Sequence, residues 1–400
     1  VLEKKKEVGD IFLAWGDRPW VLDGADVRVS IVGFDDGTQI TKRLDGQIVT
    51  QINSDLTSLA DLTKAHQLNE NHDVCYIGTK KAGSFDITEA QAKTFLSGKN
   101  NNNEVVFPWV NGRALVGRDP HKYIIYFGDM NENEAQKYEG PYQHVRNFVY
   151  DVRQQNREKR AREKWWQHRR PASEMWEKVN KISRYIATPR VAKFRLFVWV
   201  DSRTVPDDRI YVFAREDDYF FGLLHSYFHE LWSIKLGSWM GKGNDPVYTP
   251  TSTFETFPFP WQPGQEPTED DNPTVAAIAE AARELVAFRQ AWLNPPEDEI
   301  GITIAKSILK RRTLTNMYNA LTHYREAHAA GQHLSFDFRQ GWEKAVKSDF
   351  TIEQAQHLED IHTELDHAVL RAYDWPPNLT DEQILERLLA LNLERAAAQE

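Results

Sequence analysis

Leu196-Phe197-Val198-Trp199-Val200, then Ile210-Tyr211-Val212-Phe213-Ala214, then Phe220, Leu223, Leu224, Tyr227, Phe228, Leu231 and Trp232: two hydrophobic patterns follow one another here. The first two runs are short, apolar and β-branched or aromatic, and the loop Val205-Pro206-Asp207-Asp208 separates them, so they read as strands. The third set recurs at i, i+3, i+4, which predicts a helix over 219–236 closed by Gly237. Strands next to a helix, with no regular alternation of the two, predict an α+β fold.

Working outward from there, Thr253-Phe254-Glu255-Thr256-Phe257-Pro258-Phe259-Pro260-Trp261 is expected to be extended, because alternate prolines exclude a helix. Its bland role is to pack one domain against the next. Pro263 to Pro273 is rich in Pro, Gly and acids and is expected to be a linker. Beyond it the pattern is helical. Thr351-Ile352-Glu353-Gln354 and Thr380-Asp381-Glu382-Gln383 have capping-box spacing, each ahead of helical apolar residues. Upstream, residues 138–184 read as helical and basic. Residues 51–105 mix short helices with loops, and Lys99 to Glu104 is a loop. The first fifty residues read as strands: Val27, Val29 and Ile31 alternate with Arg28 and Ser30, and Asp35-Asp36-Gly37 and Asp45-Gly46 mark successive hairpins.

The 400 residues suggest two or three domains. The chain opens on Val1 and is expected to belong to a longer protein. No apolar run is long enough to span a bilayer, no signal peptide is evident, and the single cysteine, Cys75, fits a reducing, cytoplasmic compartment. The net charge of −10 argues at first against nucleic acid. Its distribution argues the other way. Residues 153–195 hold fourteen basic and four acidic residues, a net +10 that leaves −20 elsewhere, with Trp165, Trp166, Trp176 and Tyr185 among them. Such a window fits phosphate contacts, though a solvated helix face has the same composition.

Other constellations read as structural. His225 and His229 lack the Glu directly after the first His that a zinc-protease helix requires. His357, His362 and His367 turn too far per step to share a helix face. Asn294-Pro295-Pro296-Glu297 lacks the aromatic that stacks on a flipped base in amino-methylating enzymes and follows a helical stretch, so it reads as a helix stop. Cys75 is expected to pack. No glycine-rich phosphate or dinucleotide loop occurs. No catalytic or metal-binding residues are expected.

Several phrases carry a resemblance. They include Phe12-Leu13-Ala14-Trp15 with Asp17-Arg18-Pro19-Trp20, Phe107-Pro108-Trp109-Val110-Asn111-Gly112-Arg113, and Tyr185-Ile186-Ala187-Thr188-Pro189-Arg190-Val191-Ala192-Lys193. Further on are Phe221-Gly222-Leu223-Leu224-His225-Ser226, Tyr248-Thr249-Pro250-Thr251-Ser252-Thr253-Phe254, Arg312-Thr313-Leu314-Thr315-Asn316, and Asp381-Glu382-Gln383-Ile384-Leu385-Glu386-Arg387-Leu388. In order and over nearly the whole chain, these resemble the C-terminal part of large S-adenosylmethionine-dependent DNA methyltransferases of restriction–modification and related defence systems, the MmeI-like type.

The resemblance implies residues 1–50 as terminal strands of a methyltransferase domain and 51–262 as a β-rich and helical DNA target recognition domain. Residues 263–273 are then a linker and 274–400 an all-α C-terminal domain. It implies a recognition module for double-stranded DNA within an adenine-N6 methyltransferase. S-adenosylmethionine would serve the full-length enzyme but not bind this fragment, which would not itself catalyse. The implied partners are DNA and the upstream methyltransferase domain, with no membrane. Charge and motif position together nominate Arg190, Lys193 and Arg195 for contacts at or near bases, and Arg113, Arg157 and Arg160 for phosphates. An internal salt bridge is the competing role for Arg190. The alternative reading is a protein-interaction module whose acidic helical tail, 13 basic against 24 acidic residues over 264–400, docks on a partner.

Overall fold

The computed structural model describes residues 2–6, 8–22, 25–54, 56–58, 60–98, 101–118, 121–240, 245–302, 304–333 and 335–399. Its strands are β1 (Asp10–Leu22), β2 (Ala25–Asp35), β3 (Lys42–Leu44), β4 (Gln47–Val49), β5 (Cys75–Ile77), β6 (Asp86–Ile87) and β7 (Val106–Val110). They continue as β8 (Tyr123–Ile125), β9 (Arg184–Pro189), β10 (Val198–Asp201), β11 (Val205–Pro206), β12 (Ile210–Phe213), β13 (Ser238–Met240) and β14 (Asp245–Val247). The main helices are α1 (Glu139–Gln154), α2 (Ser173–Val179), α3 (Asp218–His225), α4 (Tyr227–Leu236), α5 (Pro273–Leu293), α6 (Leu314–Ala329), α7 (Ile352–Ala372) and α8 (Asp381–Ala397). The fold is thus α+β, with mixed sheets followed by a helical stretch.

The first sheet has the order β2-β1-β3-β4. It contains two hairpins, β1–β2 and β3–β4, but β3 lies parallel to β1, so the hairpins are not successive in space. Asp45 and Gly46, both at positive φ (49° and 86°), make the tight turn expected between β3 and β4. The strand expected around Val29 forms, but its inward face is carried by Val32 and Phe34, and Ile31 is 42% exposed. Two bulges in β1 shift the register and break the regular alternation. The side chains of Val27 and Arg28, and residues Lys99 and Asn100 of the expected Asn-rich loop, lie outside the described residues.

Two four-stranded sheets follow, β10-β9-β12-β5, all antiparallel, and β11-β7-β8-β6, in which β11 is parallel to β7. Val205-Pro206, expected as loop, is this short parallel strand, and it leaves Asp207 and Asp208 as the turn into β12. The predicted helix 219–236 exists but breaks in two at Ser226. There the backbone turns extended (φ −67°, ψ 153°), and the hydroxyl donates to Leu223 O (2.7 Å) and caps α4. Gly237 ends α4 as expected. Of the aromatic–proline segment, Thr253 closes a short helical turn that begins at Pro250, and Phe254, Phe257 and Phe259 are fully buried against Phe220, His229 and Trp232.

Helix α5 starts where Asn272 accepts from Thr274 N and Val275 N with Pro273 in the first turn, and it stops at Asn294-Pro295-Pro296. The helix-stop reading of that motif therefore holds. Both predicted capping boxes, at Thr351 and Thr380, are present. The helical stretch shares one apolar core with the second sheet and with α3 and α4. At its centre the buried Arg289 of α5 donates to Phe197 O (3.1 Å) and to His225 Nε2 (2.8 Å). A guanidinium only donates, so His225 Nε2 accepts, and the imidazole is neutral with its proton on Nδ1. His229 pairs through Nε2 with the Tyr248 hydroxyl (3.1 Å), and His362 with that of Tyr318 (2.8 Å). Burial holds His229 and His362 down to about 3 and His225 well below its usual value. These histidines are core ties. Among the described residues, no three His, Cys, Asp or Glu side chains gather as metal ligands would, and no helix is long and apolar enough to cross a membrane.

Candidate nucleic-acid interface

Four separate segments converge on one cleft of about 1100 Å³. Asn111-Gly112-Arg113 follows β7, and the Asn111 side chain accepts from Ala114 N (2.9 Å), which turns the chain and presents Arg113 at the rim. Pro189 to Lys193 follows β9. The Arg190 amide donates to Arg209 O (2.8 Å), and Arg190 O accepts from Tyr248 N (2.9 Å), so its backbone is fixed on both sides. Asp207-Asp208-Arg209 is the turn before β12. Lys80-Lys81-Ala82 follows β5, and Gly78 is required there: a Cβ would sit 2.3 Å from Asp207 O. Met240 and Asp245, from the β13–β14 ribbon, and Thr315, from α6, complete the wall.

Six basic and three acidic side chains line this cleft. Lys80 pairs with Asp208 (3.6 Å), and Lys81 pairs with Asp86 and lies 4.6 Å over the Trp109 ring. Lys193 donates to Asn319 on α6 (2.5 Å). Arg113, Arg190 and Arg209 are exposed, and among the described residues no carboxylate pairs with any of them. Burial raises the Asp207 carboxyl above its ordinary value, with its neighbour Asp208 pushing the same way. A cleft with unpaired guanidinium groups and some acceptors suits a polyanion that also offers hydrogen-bond donors.

Of the residues nominated from sequence, Arg113, Arg190 and Lys193 are brought together here. The internal salt bridge weighed for Arg190 does not form among the described residues. Arg157 and Arg160 are exposed but do not line the cleft. Arg195 is not at the surface: it is 5% exposed and donates to Thr188 Oγ1 (3.0 Å), Pro189 O (2.5 Å) and Pro246 O (3.3 Å), with the Tyr248 ring 4.9 Å away. Burial lowers its pKa only to about 10, so it keeps its charge at neutral pH. Its geometry ties the Pro189–Lys193 segment to the ribbon rather than offering a base contact. Arg153 does the same for a second wall: 3% exposed, it donates to Lys81 O (2.7 Å) and Ala82 O (3.1 Å). Sequence reading missed Lys80, Lys81 and Arg209, which lie outside the basic window and reach the cleft only through tertiary pairing such as the Thr79–Asp207 bridge. The window itself is dispersed, since Arg169 pairs with Glu158 and Arg184 with Asp218.

Comparison with known proteins adds the following. The family model described as MmeI, target recognition domain, matches residues 47–261. A solved structure, that of the type IIL restriction–modification enzyme MmeI in complex with DNA, matches with a TM-score of 0.65 and 15% identity. The match covers 98% of this chain and 47% of that one, so the chain spans about half the length of that structure. At this identity the likeness speaks for the fold. No curated protein matches.

Proposed function

The chain belongs to the MmeI target recognition domain family, and from that premise we propose that it reads the sequence of duplex DNA through the basic cleft. The observation that carries this reading is the convergence of Arg113, Arg190 and Arg209, unpaired and exposed, from three segments of the recognition fold. Guanidinium groups displace phosphate counterions and meet guanine edges bidentately. In this reading Arg190 lies deepest in the motif and is the base-reading candidate, while Arg113, Lys193 and Arg209 serve phosphates or bases. Arg157 and Arg160 are assigned to flanking phosphates. Arg195 and Arg153 are positioning residues that hold the walls.

The larger assignment is a restriction–modification methyltransferase specific for adenine N6 and dependent on S-adenosylmethionine. Residues 1–50 are then the last strands of its methyltransferase domain, 51–262 the recognition domain, 263–273 the linker and 274–400 the helical domain. The family match over 47–261 supports the second of these spans. The methyl donor is assigned to a part of the enzyme other than these residues, since the chain holds no glycine-rich loop that fits it. The test is fluorescence anisotropy of the chain with labelled duplex DNA over a salt series. Binding that weakens linearly in log–log form with several phosphates released supports the reading; no binding at low salt overturns it.

A further inference from the structure

A second cavity, of about 700 Å³, opens near the other end of β7. Phe107, which lines it, precedes Asn111 of the basic cleft by four residues, about 13 Å along a strand. Its wall is a run of aromatic rings: Phe107 lies 6.2 Å from Tyr126, and Tyr126 5.5 Å from Trp176. Trp176 is 9% exposed, and its indole N–H finds no acceptor among the described residues. The rim carries Glu104, Asp129, Glu177, Asn180 and Arg203. Arg203 donates to Asn103 O (2.8 Å), with its guanidinium 5.9 Å from the Phe107 ring; Glu104 is held by Tyr138 and Asp129 by Ser173. Among the described residues, no side-chain bond engages Glu177 or Asn180, both exposed on or just past α2.

These features specify a ligand. Aromatic faces favour a flat or cationic group. A buried N–H without a partner favours one that brings an acceptor, which an ammonium or guanidinium does not. A free carboxylate and a free amide at the rim favour one that also brings N–H donors, and the acidic rim disfavours phosphate. A planar ring with both acceptor and amino donor meets all of these conditions. We propose that this pocket holds a nucleobase with an exocyclic amino group, stacked on the aromatic wall, with Trp176 donating to a ring acceptor and Glu177 accepting from the amino group. The base comes either as a free nucleoside or swung out of a duplex; only the second source rests on the DNA reading above.

The test is calorimetric titration of the chain with adenosine, cytidine, thymidine and arginine amide. In parallel, duplex DNA with one unpaired adenine is compared with fully paired duplex. The expected result is adenosine or cytidine binding with Kd below about 1 mM, or tighter binding of the unpaired-adenine duplex. Thymidine is expected about tenfold weaker, and Glu177→Ala is expected to remove that preference. Trp176→Phe should weaken binding too; because it alters the core, the exposed Glu177→Ala variant is the decisive one. Nucleoside binding by a chain that fails to bind paired duplex upholds this pocket while refuting the DNA reading. The inference is overturned by no response in either arm, by thymidine or arginine amide binding as well as adenosine, or by an unchanged Glu177→Ala variant.

Discussion

Replacing Arg195 with Met separates holding the DNA interface from touching DNA. The guanidinium makes three hydrogen bonds, to Thr188 Oγ1, Pro189 O and Pro246 O. Met approximates the volume but leaves these acceptors unmet. Each charge-assisted bond contributes about 1.5–3 kcal/mol. Against this, removing a buried charge that has no carboxylate partner relieves a desolvation cost of several kcal/mol. The two nearly offset, so global stability is expected to fall by only about 1–3 kcal/mol. The local effect is larger in consequence, because Arg195 joins the Arg190 segment to the ribbon, whose two three-residue strands are marginal alone. Duplex affinity should therefore drop about tenfold or more. The salt slope should not change, because no phosphate contact is lost. Arg190→Ala, by contrast, should reduce the slope by about 0.9 if it meets a phosphate, or relax sequence preference if it meets a base. The assay is urea unfolding for stability and anisotropy at four or more salt concentrations for affinity and slope. A slope reduced by about one in Arg195→Met, or an unchanged affinity, would refute the bracing role.

Three further outcomes follow from the shared core. Asn392→Ala should destabilise the fold by about 2–4 kcal/mol in urea melts, because this buried amide exchanges two bonds with His66 and donates a third to Thr256 O (2.7 Å), joining α8 to the recognition fold; a loss under about 0.5 kcal/mol would show the join to be incidental. Gly222→Ala should cost about 1–3 kcal/mol, since its Cβ would meet Ile278 Cγ2 at 2.7 Å where α3 crosses α5, and an unchanged melting temperature would contradict that close crossing. Acid should unfold the chain through His229 and His362. Their folded pKa of about 3 lies below the unfolded value, so the unfolded state binds more protons between the two. Stability is complete above about pH 6.5 and is lost as pH falls, by about 2 kcal/mol per histidine at pH 5. Unfolding monitored from pH 7 to 4 checks this, and a flat profile would count against two neutral buried imidazoles.

Elements governed by local pattern were legible in the sequence. The capping boxes at Thr351 and Thr380, the strands around Val198 and Ile210, and the stop at Asn294 all declare themselves within a few residues. Features set by distant partners were not. Ser226 breaks its helix because its hydroxyl offers the backbone another bond, which periodicity does not register. Val205-Pro206 becomes a strand only because β7 lies beside it. The site shows the same division. Arg113, Arg190 and Lys193 were found from charge and motif. Arg209 and Lys80 were not, because the turn that joins them to the cleft is a tertiary contact. Arg195 looked like its neighbours in sequence, and only its burial between two segments gives it a different task.

The most direct test of the DNA reading is the salt slope of duplex binding for Arg113→Ala/Arg190→Ala/Arg209→Ala, set beside Arg157→Ala/Arg160→Ala. If the cleft holds the duplex, the triple variant loses affinity at every salt concentration, and its slope shrinks by up to about 2.7, while the double variant loses no more than about 1.8 and keeps its sequence preference. An unchanged slope in the triple variant, with binding abolished in the double, would place the DNA elsewhere and contradict the account.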